Sequence, residues 1–262
     1  MKKYLRLSFC LFKMNMKKIK QYKKDAFIGI ISNLLTQVAS IVFLWVIFDN
    51  IKVFAGWTYY EELLIYGVFS ICRGLNNIFF DNLWVVGKEY IRKGTFDMLI
   101  VRPANVLFLI IKEKIQLDGV GTLILGVAIT CKAINSLKIN LTFIMIMYFL
   151  LVFILGTLII AGINLIFTVS SFWVVKSNNI IWIVFSLADF AQYPIEIFGK
   201  FLGSVFTFII PYGFVSYYPV AILQGKYSYI YLLYEIMAVL VIWIVGLCLW
   251  KVGIKKYESS GN

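Results

Sequence analysis

The chain contains no histidine. That removes the commonest metal ligand and the usual proton shuttle near neutral pH. Cysteine is sparse: Cys10, Cys72, Cys131 and Cys248 stand far apart, and no paired spacing suggests a disulfide framework or a zinc site. Only 13 carboxylates occur in 262 residues, and most flank apolar runs. No GxxxxGK[ST] loop is present, so the chain does not bind and hydrolyse ATP in the P-loop manner. GxSxG and GxGxxG are missing too, and without histidine no Ser-His-Asp arrangement exists. Nothing nominates a catalytic residue, a resident cofactor or a metal ligand.

What the chain has in excess is apolar surface. Hydrophobic residues make up 61% and charged residues 15%, with mean hydropathy +0.88. Soluble domains are about half apolar and about a quarter charged. One globular core cannot hide such an excess, so the second apolar solvent is lipid. Backbone polar groups in a bilayer must be satisfied internally, which leaves helices or a closed barrel. Long unbroken apolar runs, without strand-like alternation, select helices. The net charge of +12 does not read as nucleic-acid binding, because the basic residues sit beside the ends of apolar runs, where topology signals belong.

Residues 1–25 place Tyr4, Leu5, Leu11, Phe12, Met16, Ile19 and Tyr22 at roughly helical spacing. Lys2, Arg6, Lys13, Lys17, Lys20 and Lys24 fall on another face, as in a basic amphipathic helix lying among lipid headgroups. Six spans follow, at 26–48, 63–80, 119–134, 142–174, 180–193 and 231–250. The third is expected to be extended by helix from Phe108 onward. The fifth, closed by Pro194, falls short of the roughly 20 residues a full crossing needs. Residues 195–224 are apolar yet broken by Gly199, Gly203, Pro211, Gly213 and Pro219. Broken helices at membrane depth occur only where buried in protein or lining a cavity. Two short re-entrant or interfacial helices are expected there, at about 195–210 and 216–224.

Lysine and arginine give the orientation. With six spans, nineteen fall on the side of the termini and five on the other, Arg73 lying within a span. The positive-inside rule makes both termini cytoplasmic, in the plasma membrane.

Arg73 and Asp189 stand inside spans two and five. At about 1.5 Å per residue both reach similar, roughly mid-membrane depth. A lone charge there costs several kcal/mol, so the two either pair or face one polar cavity. Asn33, Gln37 and Ser40 recur at helical spacing on span one, and Asn76 and Asn77 lie in span two. They either line a translocation path or hydrogen-bond helix to helix.

The segment after span two is the most informative. In residues 84–103, Lys88, Glu89, Arg92 and Lys93 occupy the solvent side of a short amphipathic helix around Tyr90. Gly94 ends it, and Arg102-Pro103 is expected to start the next element, since proline suits a first helical turn. Such mixed charge suits docking to a soluble partner better than a bare topology signal.

The run G-T-F-D-x-L-x-x-R-P at 94–103 and the late segment P-Y-G-F-V-S-Y-Y-P at 211–219, with L-Q-G at 223–225, resemble the ABC-2 (type V ABC exporter) permease superfamily. The likeness is to its small branch of stand-alone six-span membrane subunits and covers nearly the whole chain. It implies an elbow helix at 1–23, a coupling helix at about 84–94 carrying Lys88, Glu89, Tyr90, Arg92, Lys93 and Gly94, and re-entrant outer helices at 195–224. It also implies pairing with a second permease, identical or homologous, driven by separate ABC ATPase subunits that bind the ATP and magnesium. The cargo is left open. The rival class is a non-transporting polytopic membrane protein, either a lipid-modifying enzyme or an immunity or scaffold protein.

Overall fold

A computed structural model describes residues 2–21, 23–174 and 177–258. Tyr22 and Lys176 lie outside the described residues. The described chain is helical, with no strand. Among the described residues five helices are long and apolar enough to cross a membrane, or six if the bent pair at 179–192 and 195–209 is one span. The chain is an all-α, multi-pass membrane protein.

Helix α1 (Lys2–Gln21) lies against the bundle rather than crossing it. Lys3 donates to the Pro103 carbonyl at 2.8 Å, and Asn15 donates to the Lys112 carbonyl at 3.1 Å. Helix α2 (Lys23–Asn50) follows, starting a turn before its apolar run because a helix in the interface need not stop where hydropathy begins. Helix α3 (Tyr59–Phe80) starts earlier than the apolar pattern suggests. Thr58-x-x-Glu61 is the reason: the Glu61 carboxylate accepts the Thr58 backbone N–H at 2.8 Å, closing an N-terminal box.

Beyond α3 come a 3₁₀ turn at Asp81–Leu83, a π-wound turn at Val86–Ile91, and short helices α4 (Asp97–Ile100) and α5 (Val106–Glu113). Two expectations are corrected here. Pro103 does not open a helix: α5 starts after Asn105, whose side chain accepts the Phe108 N–H at 3.1 Å and so caps the helix. Nor does helix continue from Phe108 into the third span. Lys114 turns extended, and Gln116 hydrogen-bonds Asp81, anchoring the break. Helix α6 (Asp118–Ser136) starts afresh.

Helix α7 (Phe143–Thr168) ends in a 3₁₀ turn at Val169–Phe172. Helix α8 (Ser177–Leu187) tightens into a 3₁₀ turn at Ala188–Gln192, and Pro194 then breaks it. The chain bends by 120° into residues 195–209, which include α9 (Gly199–Ser204). Helix α10 (Tyr217–Leu223) and the long final α11 (Ile230–Lys256) complete the bundle.

Contacts between distant segments fix the number of crossings. Tyr4 meets Phe108, Phe96 meets Phe172 and Tyr257, and a side chain at Gly87 would strike Ser171 and Ser177. Those residues share one end of the bundle, the basic end. At the opposite end Lys226 bonds the Gly56 carbonyl, Trp57 packs on Tyr217, and Tyr148 bonds the Pro219 carbonyl. The stretch 177–217 therefore makes one net crossing, despite its bend. The ends alternate six times, and the chain's first and last helices finish on the same side.

Helix α3 is the axis, with 72% of its most apolar window buried. It packs against α6 through small residues. A side-chain carbon at Gly74 would lie 2.8 Å from the Leu123 nitrogen, and one at Gly126 would lie 2.9 Å from the Ile71 nitrogen. Backbones approach that closely only where both faces lack side chains. Helix α2, by contrast, has 6% of its apolar window buried.

Candidate functional site

Two regions gather the polar residues singled out above. The first is the loop at the basic end. Leu83 and Val86 are wholly buried and pin the start of the π-wound turn, whose Arg92 N–H donates to the Gly87 carbonyl at 3.0 Å. Lys88, Arg92 and Lys93 are exposed. Glu89 pairs with Lys93 one turn on, leaving Lys88 and Arg92 as the outward cations of this turn. Tyr90 points inward: its hydroxyl donates to Glu113 at 2.9 Å and accepts from Asn82 at 3.0 Å. Asn82 also donates to the Ile110 carbonyl at 2.6 Å, so α5 and the turn form one unit.

Gly94 takes φ +70°, in the left-handed region where a Cβ is penalised, and reverses the chain. Thr95 then donates to the Glu89 carbonyl at 2.8 Å, and the Phe96 N–H donates to the Tyr90 carbonyl at 3.0 Å. The Phe96 ring is fully buried among Phe172, Trp250 and Tyr257. Each of Gly94, Thr95 and Phe96 thus has a physical task. Gly94 turns the chain, Thr95 ties it back, and Phe96 bolts it to α7 and α11. The outcome is a charged, outward surface whose base packs on the end of α7 and on α11.

The second region lies within the membrane. Arg73 is 5% exposed, and its Nη2 lies 3.5 Å from Asp189 Oδ1. The same nitrogen donates to the Phe185 carbonyl at 3.1 Å, and the guanidinium sits 3.5 Å over the Phe185 ring. Phe185 also meets Trp84 at the end of α3. Arg73 therefore stitches α3 to α8 by charge, hydrogen bond and ring face together. Its Nη1 has no hydrogen-bond partner. The Asp189 side chain is 56% exposed, on an apolar outer face that also shows Trp182 and Ile183. A carboxylate at this depth is costly against lipid tails.

Of the other polar residues singled out in the spans, Asn33 and Gln37 work between helices. Asn33 donates to the Asp118 carbonyl at 3.1 Å, tying α2 to α6. Gln37 accepts from Tyr66 and from Ser70, tying α2 to α3. Ser40 turns back to its own helix. Asn76 is fully buried and donates weakly to Asn77, at 3.5 Å, while its Oδ1 has no partner. Of these residues only Arg73 and Asp189 meet across the bundle.

Several groups escaped the sequence reading. Glu62 and Glu235 are buried, and neither carboxylate oxygen of either has a hydrogen-bond partner among the described residues. At the opposite end Lys226 lies 3.3 Å over the Trp57 ring and 3.7 Å from Glu61. Tyr217 donates to Glu196, and its burial together with that neighbouring carboxylate pushes the phenol well above its ordinary pKa, so it stays a donor. Glu61 alone had a readable signal, as the fourth residue of the cap.

No group of three or more potential metal-ligating side chains occurs among the described residues. No curated protein and no solved structure matches the chain. A family model described as ABC-2 family transporter protein matches residues 34–261, which covers α3 to α11 and most of α2. The chain belongs to the ABC-2 family of transporter proteins, as a membrane component of an ABC transporter.

Proposed function

We propose that this protein is the permease subunit of an ATP-driven exporter, working as a pair of permeases with two separate ATPase subunits. The observation that carries the reading is the turn at 86–96. Its outward charges stand on a base bolted to α7 and α11 through Phe96 and to α5 through Tyr90. A soluble ATPase docking on Lys88, Glu89 and Arg92 would move those helices as it closes on ATP. The nucleotide and its magnesium belong to that subunit, since this chain carries no phosphate loop.

The second permease fits the outer face of α8. There Asp189 opens beside exposed apolar side chains, and a facing subunit supplies the polar surroundings a bilayer cannot. Movement across that face, transmitted through Arg73 to α3, would open and shut the path. The basic end faces the cytoplasm because it holds most of the lysine and arginine.

Affinity purification of the tagged protein tests this. A soluble P-loop ATPase should co-purify, and its hydrolysis in proteoliposomes should accompany loss of cargo from the cytoplasmic side. Reversing charge at Arg92 or Glu89 should leave the folded permease intact while cutting transport at least roughly tenfold per ATP hydrolysed. Recovery of a folded protein with no ATPase would overturn the reading.

A further inference from the structure

Five tyrosines line one flank of the opposite end, each ring touching the next. Tyr217 meets Tyr218 at 4.9 Å and Tyr218 stacks on Tyr231 at 4.9 Å. Tyr227 meets Tyr231 at 4.8 Å, and Tyr231 meets Tyr234 at 5.5 Å. Two cavities adjoin the bent segment 195–209. One, of about 540 Å³, is lined by Glu196, Lys200, Ser204 and the rings of Tyr217, Tyr218 and Tyr227. The other, of about 420 Å³, is lined by Phe214, Tyr234, Met237, Ala238, Val241 and Ile242. Thr207, Phe208 and Tyr218 line both, so the two adjoin across these residues. The Thr207 hydroxyl and the Tyr218 phenol are hydrogen-bonded at 2.9 Å on their shared wall.

The chambers differ in chemistry. The first offers a carboxylate, a lysine and aromatic faces; the second offers hydrocarbon and opens beside Phe208, Met237 and Val241, all of them exposed. Glu196 and the tyrosine faces attract a cation, aromatic faces being the usual partner of a ligand ammonium. Lys200, on the same rim as Glu196, attracts an anion. Cation site, anion site and apolar chamber in that arrangement match one kind of molecule. We propose that this cleft binds a membrane phospholipid whose headgroup carries an amine, with the ammonium at Glu196 and the tyrosines, the phosphate at Lys200, and an acyl chain along α11. Both volumes fall in the range of ordinary ligand sites. The proposal does not depend on transport or on any ATPase.

The purified protein in phosphatidylglycerol nanodiscs, without ATPase, provides the test. The probe is phosphatidylethanolamine with a diazirine on its acyl chain, and peptide mass spectrometry locates the attachment. Label should concentrate at 207–209 and 234–242, and unlabelled phosphatidylethanolamine should compete at least roughly tenfold better than phosphatidylglycerol. Glu196→Gln should erase that headgroup preference, and Ala238→Phe should block labelling by filling the apolar chamber. The competition on the unaltered protein decides the matter even if a variant fails to fold. Equal competition by the two lipids, or label spread evenly along the lipid-facing surfaces of α2 and α11, would overturn the proposal.

Discussion

Arg73 illustrates how a buried charge is held by several weak partners at once. Its guanidinium has a carboxylate at 3.5 Å, a carbonyl at 3.1 Å and a ring face at 3.5 Å. Because the Asp189 side chain is half exposed in the single subunit, Asp189→Asn should cost only about 1 kcal/mol of the stability of that subunit in detergent. Arg73→Leu removes all three contacts and should cost more, about 3 kcal/mol. Thermal unfolding in detergent measures both, and exchanging the two charges should recover part of the loss. Equal effects of the two single changes would mean the Phe185 contacts contribute nothing. This meeting was legible in the sequence because depth along a helix is simple arithmetic. The tyrosine cleft was not: its rings lie close in sequence, but the segment 195–209 that completes it is placed by the 120° bend. Asn33 and Gln37 were visible as polar residues on one face, but the sequence left open whether they faced a path or a neighbour. In the structure they hydrogen-bond Asp118 and Tyr66.

At the scale of elements, spans were legible because lipid demands long apolar runs, and their ends were less so because caps and turns set them. Thr58 and Glu61 move the start of α3 outward, Asn105 overrides Pro103, and Asp81 with Gln116 anchors the break before α6. The close helix contact uses Gly67 and Gly74 on α3 against Gly119 and Gly126 on α6, two turns apart on each helix. Gly74→Ala places a carbon against backbone atoms of α6, which cannot swing away as a side-chain tip can. It should destabilise the bundle by about 1–3 kcal/mol. Gly94→Ala, by contrast, strains only the turn and should cost about 1–2 kcal/mol. Denaturant or thermal unfolding separates these: a neutral Gly74→Ala would mean α3 and α6 are not in backbone contact.

The whole molecule is a six-crossing bundle with its basic residues gathered at one end, and two cores divide the labour. One surrounds α3 within the membrane; the other, around Phe96 and Trp250, joins the loop to α7 and α11. Impermeant labelling of single cysteines in oriented vesicles should therefore find positions 5 and 254 on one side with 92, and position 53 on the other. Position 92 is the place where force from a separate motor would enter. A photo-crosslinking amino acid there, in cells expressing the full transporter, probes that contact directly. Crosslinks from position 92 to a P-loop ATPase, absent from position 53, are the expected result. An ATPase that co-purifies yet never crosslinks at 88–93, or crosslinks equally from both positions, would contradict the account.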